Sequence, residues 1–61
     1  MNGFYELVIK QLKANGYVFL RQTGSHQTWT NGLRNQTVST NCYSRFTANG
    51  IMRQASINHR F

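Results

Sequence analysis

Two turn signals in the middle of the chain limit its fold more than any other feature. Gly24-Ser25 and Asn31-Gly32 are turn-forming pairs, and each is flanked by runs of high strand preference. Before the first lies Tyr17-Val18-Phe19-Leu20-Arg21-Gln22-Thr23, which is β-branched and aromatic and too short for an independent helix. Between the two lies His26-Gln27-Thr28-Trp29-Thr30, and after the second comes Leu33 to Thr40, with Val38 as its inward candidate. Asn31-Gly32 suits a type I′ hairpin, because both positions accept positive φ. The prediction is a three-stranded antiparallel meander, the smallest sheet that presents a stable apolar face. Period-two alternation puts His26, Thr28 and Thr30 on one face and Gln27 and Trp29 on the other, so Trp29 enters the core and His26 looks outward. Tyr17, Phe19 and Arg21 share one face of the first strand; with Val18 and Leu20 towards the helices, that trio is left for a partner or for RNA.

Helical periodicity brackets the meander. From Asn2 to Asn15, Phe4, Leu7, Val8 and Leu12 recur at helical spacing, with Asn2 as N-cap and Gly16 as the stop. Lys10 and Lys13 lie near the C-terminal end, where the backbone dipole favours positive charge; a solvated face and a nucleic-acid contact both suit them. Asn41 to Phe46 reads as a loop. Thr47 is the N-cap candidate for a last helix whose apolar stripe is Ala48, Ile51, Met52 and Ala55, extended by Ile57. Helix, three antiparallel strands and helix define a two-layer α+β sandwich with both helices on one sheet face, the order of a double-stranded RNA-binding domain.

Sixty-one residues allow one small domain, 1–61, and a domain of that size buries only about 60% of its unfolded surface. Seven Lys and Arg against one acidic residue, Glu6, leave a formal charge of +6 that internal ion pairs cannot neutralise. Such a surface attracts polyanions. The lone Cys42 excludes an internal disulfide and makes a structural zinc site an unsuitable reading. The start of the chain has no secretion-signal pattern and no apolar run reaches the roughly 20 residues of a bilayer span, so a soluble cytoplasmic protein is expected.

RNA cleavage without a metal requires a base for the 2′-hydroxyl proton, an acid for the leaving oxygen, and positive charge around the phosphorane. His26, delivered by the Gly24-Ser25 turn, is the candidate for proton transfer, since its ordinary pKa lies close to neutral pH. Arg21, Arg34 and Arg45 are candidates for holding phosphate through charge-assisted hydrogen bonds, with the Ser25 hydroxyl positioning a phosphate oxygen. His59 is a candidate second proton carrier, though a histidine beside the chain end is more simply a solvated tail residue. Cys42 is more simply an inert thiol than one activated by Arg45, and Trp29 a core residue more than a stacking platform. No carboxylate cluster is present to hold a metal, and no cofactor is expected. A non-catalytic RNA-binding module using the same basic face is the alternative; a DNA-binding role lacks a recognition-helix motif.

Four stretches stand out together: Asn15-Gly16-Tyr17 at the close of the first helix, Arg21-Gln22-Thr23-Gly24-Ser25-His26, Thr37-Val38-Ser39, and Arg53-Gln54-Ala55-Ser56-Ile57. Through them, and nearly end to end, the chain resembles the HicA toxins, the messenger-RNA interferases paired with HicB antitoxins, whose corresponding segments after the first helix read Arg-Gln-x-Gly-Ser-His, Thr-Val-Pro and Lys-Gln-Ala-Gly-Ile. Two departures are the absent proline around Ser39-Thr40 and Ser56 in the place of glycine, which suggests a different closure of the last turn. The resemblance implies ribosome-independent mRNA cleavage with His26 as the catalytic residue and no metal or organic cofactor. It also implies a HicB-like antitoxin that masks His26, a double-stranded RNA-binding-like fold, and a monomeric toxin that assembles further through its antitoxin.

Overall fold

The computed structural model describes residues 3–61. Helix α1 (Tyr5–Ala14), strands β1 (Val18–Thr23), β2 (His26–Thr30) and β3 (Asn35–Ser39), and helix α2 (Arg45–Gln54) follow in that order. The sheet is antiparallel in the order β1-β2-β3. Both helices bury their apolar residues against one sheet face, so the two-layer α+β sandwich is the fold adopted, with Val8, Leu12, Val38 and Met52 fully buried at its centre.

The predicted cap of α1, Asn2, lies outside the described residues; Phe4 occupies the N-cap position and its side chain makes no cap bond. The Phe4 N–H instead donates to the Cys42 carbonyl at 2.6 Å, tying the helix start to the segment after β3. The buried stripe is Val8, Ile9 and Leu12, and Leu7, expected inside, is half exposed. Gly16 ends the helix as expected. With φ at 86° it lets the Gly16 N–H reach the Lys13 carbonyl (3.2 Å) and the Tyr17 N–H reach the Leu12 carbonyl (3.0 Å), the paired bonds of a Schellman motif. Tyr17 and Leu12, the positions between which such a motif commonly makes an apolar contact, are both buried in the core.

Strand β1 departs from simple alternation. Phe19 pairs with Trp29 and Arg21 with Thr28, so Leu20 is the extra residue of a bulge. Phe19 therefore lies on the helix side with its ring edge-on to Trp29 at 5.8 Å, while Arg21 faces the opposite way. Tyr17, Phe19 and Arg21 do not form the shared outward face that uninterrupted alternation predicts; Tyr17 is in the core, its hydroxyl donating to the Ala55 carbonyl at 3.0 Å.

The second hairpin is also shifted. Asn31 N–H donates to the Arg34 carbonyl, leaving Gly32 and Leu33 at the tip, and β3 starts at Asn35 rather than Leu33. The cause is the Asn31 side chain: its Oδ1 accepts from the Leu33 and Arg34 N–H groups at 2.9 and 2.8 Å, an Asx turn that takes these donors from the ladder.

Helix α2 begins two residues before the expected cap. Ser44 is extended, and its Oγ accepts from the Phe46 and Thr47 N–H groups at 3.2 and 3.4 Å, so Ser44 is the N-cap and Thr47 belongs to the first turn. Ala48, Ile51, Met52, Ala55 and Ile57 are buried as the stripe predicts. The last turn closes in the same way as α1, against expectation. Ser56 takes a φ of 60°, with Ser56 N–H to the Arg53 carbonyl at 3.1 Å and Ile57 N–H to the Met52 carbonyl at 2.8 Å.

A left-handed conformation costs an L-residue about 1–2 kcal/mol that glycine avoids, part of which returns as extra unfolded-state entropy. Ser56→Gly is therefore expected to stabilise the protein by about 0.5–1 kcal/mol, raising the melting temperature by roughly 2–8 °C for a domain of this size. Thermal unfolding followed by circular dichroism measures this, and a lowered midpoint would contradict the left-handed assignment.

Candidate active site on the open sheet face

Directly opposed residues of an antiparallel pair share a face, so the register defines the side of the sheet away from the helices. It carries Arg21 and Thr23 from β1, His26, Thr28 and Thr30 from β2, and Asn35, Thr37 and Ser39 from β3. His26 opens the central strand, exposed, with Thr23 opposite it on one side and Ser39 on the other. Side chains in such positions have Cβ atoms about 4.5–5.5 Å apart. Sequence reasoning did not single out Thr23 or Ser39; strand register decides which hydroxyls border the imidazole.

The turn that delivers His26 is held on both sides. Gly24 has φ of 62° and Ser25 a negative φ, the pattern of a type II′ two-residue turn. Ser25 accepts the Thr40 N–H on its carbonyl at 2.8 Å, joining the turn to the end of β3. On the other flank Gln22 Nε2 donates to the Gly24 carbonyl at 2.8 Å, and Gln22 Oε1 accepts from Gln27 Nε2 at 3.3 Å. Gln27 Oε1 in turn accepts from the Tyr5 hydroxyl (2.7 Å) and from Trp29 Nε1 (3.0 Å). A chain of side-chain hydrogen bonds thus runs from helix α1 through Gln27 and Gln22 to the turn before His26, and the core tryptophan joins it at Gln27. Gln22 and Gln27 are positioning residues that sequence reasoning missed. Parity already put Gln27 beside Trp29 on the core face, and a polar group there needs partners.

The candidate phosphate ligands are dispersed. Arg21 stands on the open face opposite Thr28, the next outward position from His26 on β2. Arg45 is the first residue of α2, beside Phe46. Arg34 lies at the other end of β3, where its Nη1 donates to the Gln54 carbonyl at 2.9 Å and caps the end of α2. The Ser25 hydroxyl has no protein partner among the described residues. Lys13 sits over the Trp29 ring, 5.8 Å from its centroid. His59 packs edge-on against Phe61 at 4.7 Å and lines a different cavity from His26.

His26 lines one end of an open groove of about 440 Å³ that follows the free edge of β3. Thr37 and Ser39 border it from the sheet, and Phe46, Gly50 and Gln54 form its wall on α2. His26 is the one titratable side chain in that lining among the described residues. The arrangement offers a single proton-transfer group amid hydroxyls and amides, with a guanidinium on the same face. Among the described residues no group of three or more His, Cys, Asp or Glu is placed to hold a metal, and no helix is long and apolar enough to cross a membrane.

A small α+β domain presenting one histidine on a polar, cationic sheet face is the class of protein that these features define. The family model for the HicA toxin of bacterial toxin–antitoxin systems matches residues 5–57 of the 61, and the chain belongs to that family. No curated protein and no solved structure matches the chain.

Removing the Gln27 amide leaves both Tyr5 and Trp29 donors without their acceptor. Gln27→Leu is expected to lower the unfolding free energy by about 1–3 kcal/mol, read from urea denaturation; an unchanged midpoint would show that the network does not hold the sheet to α1. Cys42 is buried, and burial pushes its thiol above the ordinary value of 9.0, against a smaller opposing effect of a backbone hydrogen bond from Ser44. A thiol held protonated by folding keeps its full contribution below the unfolded pKa and loses it as pH rises through the folded one. The stability difference between wild type and Cys42→Ala should therefore shrink above about pH 9, and a difference that grew there would reverse the sign of the assignment.

Proposed function

We propose that this protein is a metal-independent endoribonuclease that cleaves messenger RNA with His26 as its catalytic residue, and that a HicB-like antitoxin neutralises it by covering the same face. The observation that carries the reading is the placement of His26: exposed at the end of the central strand, bordered by Thr23 and Ser39, on a turn fixed by Gln22 and by Thr40. Membership of a toxin family supports it, as does a surface with seven basic side chains and one acidic one.

In the reaction the ribose 2′-oxygen attacks the adjacent phosphorus while the bond from phosphorus to the 5′-oxygen breaks, giving a 2′,3′-cyclic phosphate and a 5′-hydroxyl end. Neutral His26 withdraws the 2′-hydroxyl proton, and water protonates the departing 5′-oxygen, since among the described residues the groove lining provides no second titratable side chain. Arg21, on the same sheet face, offsets the charge that builds on the non-bridging oxygens. Arg45 and the Ser25 hydroxyl serve the flanking backbone, and Arg34 contributes through long-range attraction from its place beside the end of α2.

The lack of a second titratable group in the groove among the described residues is also the observation that favours a non-catalytic RNA-binding module. Incubating purified protein with a defined mRNA in the presence of a chelator separates the two. Wild type should release fragments with cyclic-phosphate ends, and His26→Ala should lose at least about a hundredfold in rate, the scale of general acid–base catalysis, while keeping its circular dichroism spectrum. A folded, fully active His26→Ala protein would overturn the assignment; salt-sensitive binding without fragments would establish the binding module.

A further inference from the structure

We infer that the groove between β3 and α2 is a nucleobase-binding site for single-stranded RNA, in which the Phe46 ring stacks on a base next to the scissile phosphate and Gly50 leaves the space that the base occupies. The inference rests on the proposed RNA cleavage for the place of the phosphate at His26; the base site itself rests on α2.

Phe46, Gly50 and Gln54 recur at intervals of four on α2, so they share one side of the helix. At 1.5 Å per residue the row is about 12 Å long. Helix α2 runs antiparallel to β3, which puts Phe46 beside Ser39 and His26, and Gln54 beside Gln36. Phe46 is 89% exposed although it sits on the wall of the groove. A phenyl ring left in water, on a helix whose buried stripe is already complete, contributes nothing to the core. It offers the flat surface on which single-stranded nucleic acids stack their bases.

Gly50 points to the same occupant. A glycine inside a helix costs about 0.5–1 kcal/mol relative to alanine, and such a residue is usually needed for a positive φ or a close approach. Gly50 has neither: a Cβ built there meets no atom within 4 Å. The protein's own packing therefore does not require the missing side chain, whereas a ligand lying against the helix would. At the far end, Gln36 Nε2 donates to the Thr37 carbonyl (3.1 Å) and to Gln54 Oε1 (3.2 Å). This fixes both amides and leaves Gln36 Oε1 and Gln54 Nε2 with no protein partner among the described residues. Gln36 is 6% exposed and is among the residues that line the groove. A stacking ring, a cleared wall and an acceptor–donor pair suit an aromatic heterocycle better than an apolar peptide side chain.

The test uses the full chain with a set of short single-stranded RNAs, measured for cleavage with active protein and for binding by fluorescence anisotropy in the His26→Ala background. Phe46→Ala should lower kcat/KM and weaken binding by roughly 5- to 150-fold, the range for losing one stacked base, and Phe46→Trp should stay near wild type. Gly50→Leu should fill the groove and weaken both to a similar extent, while Gly50→Ala raises the melting temperature. Unchanged binding and cleavage in Phe46→Ala and Gly50→Leu would overturn the site, and the groove would then be left for a protein segment such as the antitoxin. Wild type that binds RNA without cutting it refutes the nuclease reading alone, because the anisotropy series still decides the base site. Wild type that does neither refutes both.

Discussion

Gln27 is an amide on a core face, and the satisfaction of that amide fixes how the sheet meets helix α1. Its oxygen takes the Tyr5 hydroxyl and the Trp29 indole, and its nitrogen reaches Gln22, which holds the Gly24 carbonyl. A partly buried amide left with unmade bonds on a core face is costly, so a network of this kind favours one register. A one-residue slip of β2 would turn Gln27 and Trp29 to solvent and His26 into the core. The same bonds that make Trp29 a core residue therefore make His26 an outward one.

The order of elements and both faces of β2 were legible in the sequence, because turn residues and period-two alternation are local signals. The bulge at Leu20 was not. Nothing in Val18-Phe19-Leu20-Arg21 marks which residue lacks a partner; that is settled by Phe19 finding Trp29 across the ladder while Arg21 keeps to the solvent side. The misplaced hairpin tip and helix start share another cause. Asn31 and Ser44 each use a side-chain oxygen to hold two backbone N–H groups, and such choices between competing caps are decided by a few tenths of an ångström of geometry that composition does not carry. For the site, His26 was visible as a turn-borne histidine. Its neighbours Thr23 and Ser39 depend on register, and the capping role of Arg34 depends on where α2 ends.

The two helices end alike and show how much of the local backbone is set by tertiary contacts. Gly16 takes the left-handed position after α1 without steric cost, while Ser56 takes the same position after α2. The strain at Ser56 persists because Ile57 is pulled into the core and the Ala55 carbonyl accepts the Tyr17 hydroxyl. Tyr17 thereby joins the closing turns of both helices, so the sequence departure at Ser56 changes the energy of the turn and leaves its geometry in place.

Helix α2 combines three features that each weaken it: a glycine at its centre, a serine in the left-handed position after its end, and a phenylalanine left in water at its start. A short helix draws most of its stability from packing one face, and the buried stripe of Ala48, Ile51 and Met52 is modest in volume. The features lie on the opposite side from that stripe or beyond the helix end, so they do not serve the core. A ligand or partner that binds only the folded form stabilises it in proportion to the logarithm of its concentration over its dissociation constant. The helix that gives the groove its wall is thus also an element whose stability responds to what occupies the groove.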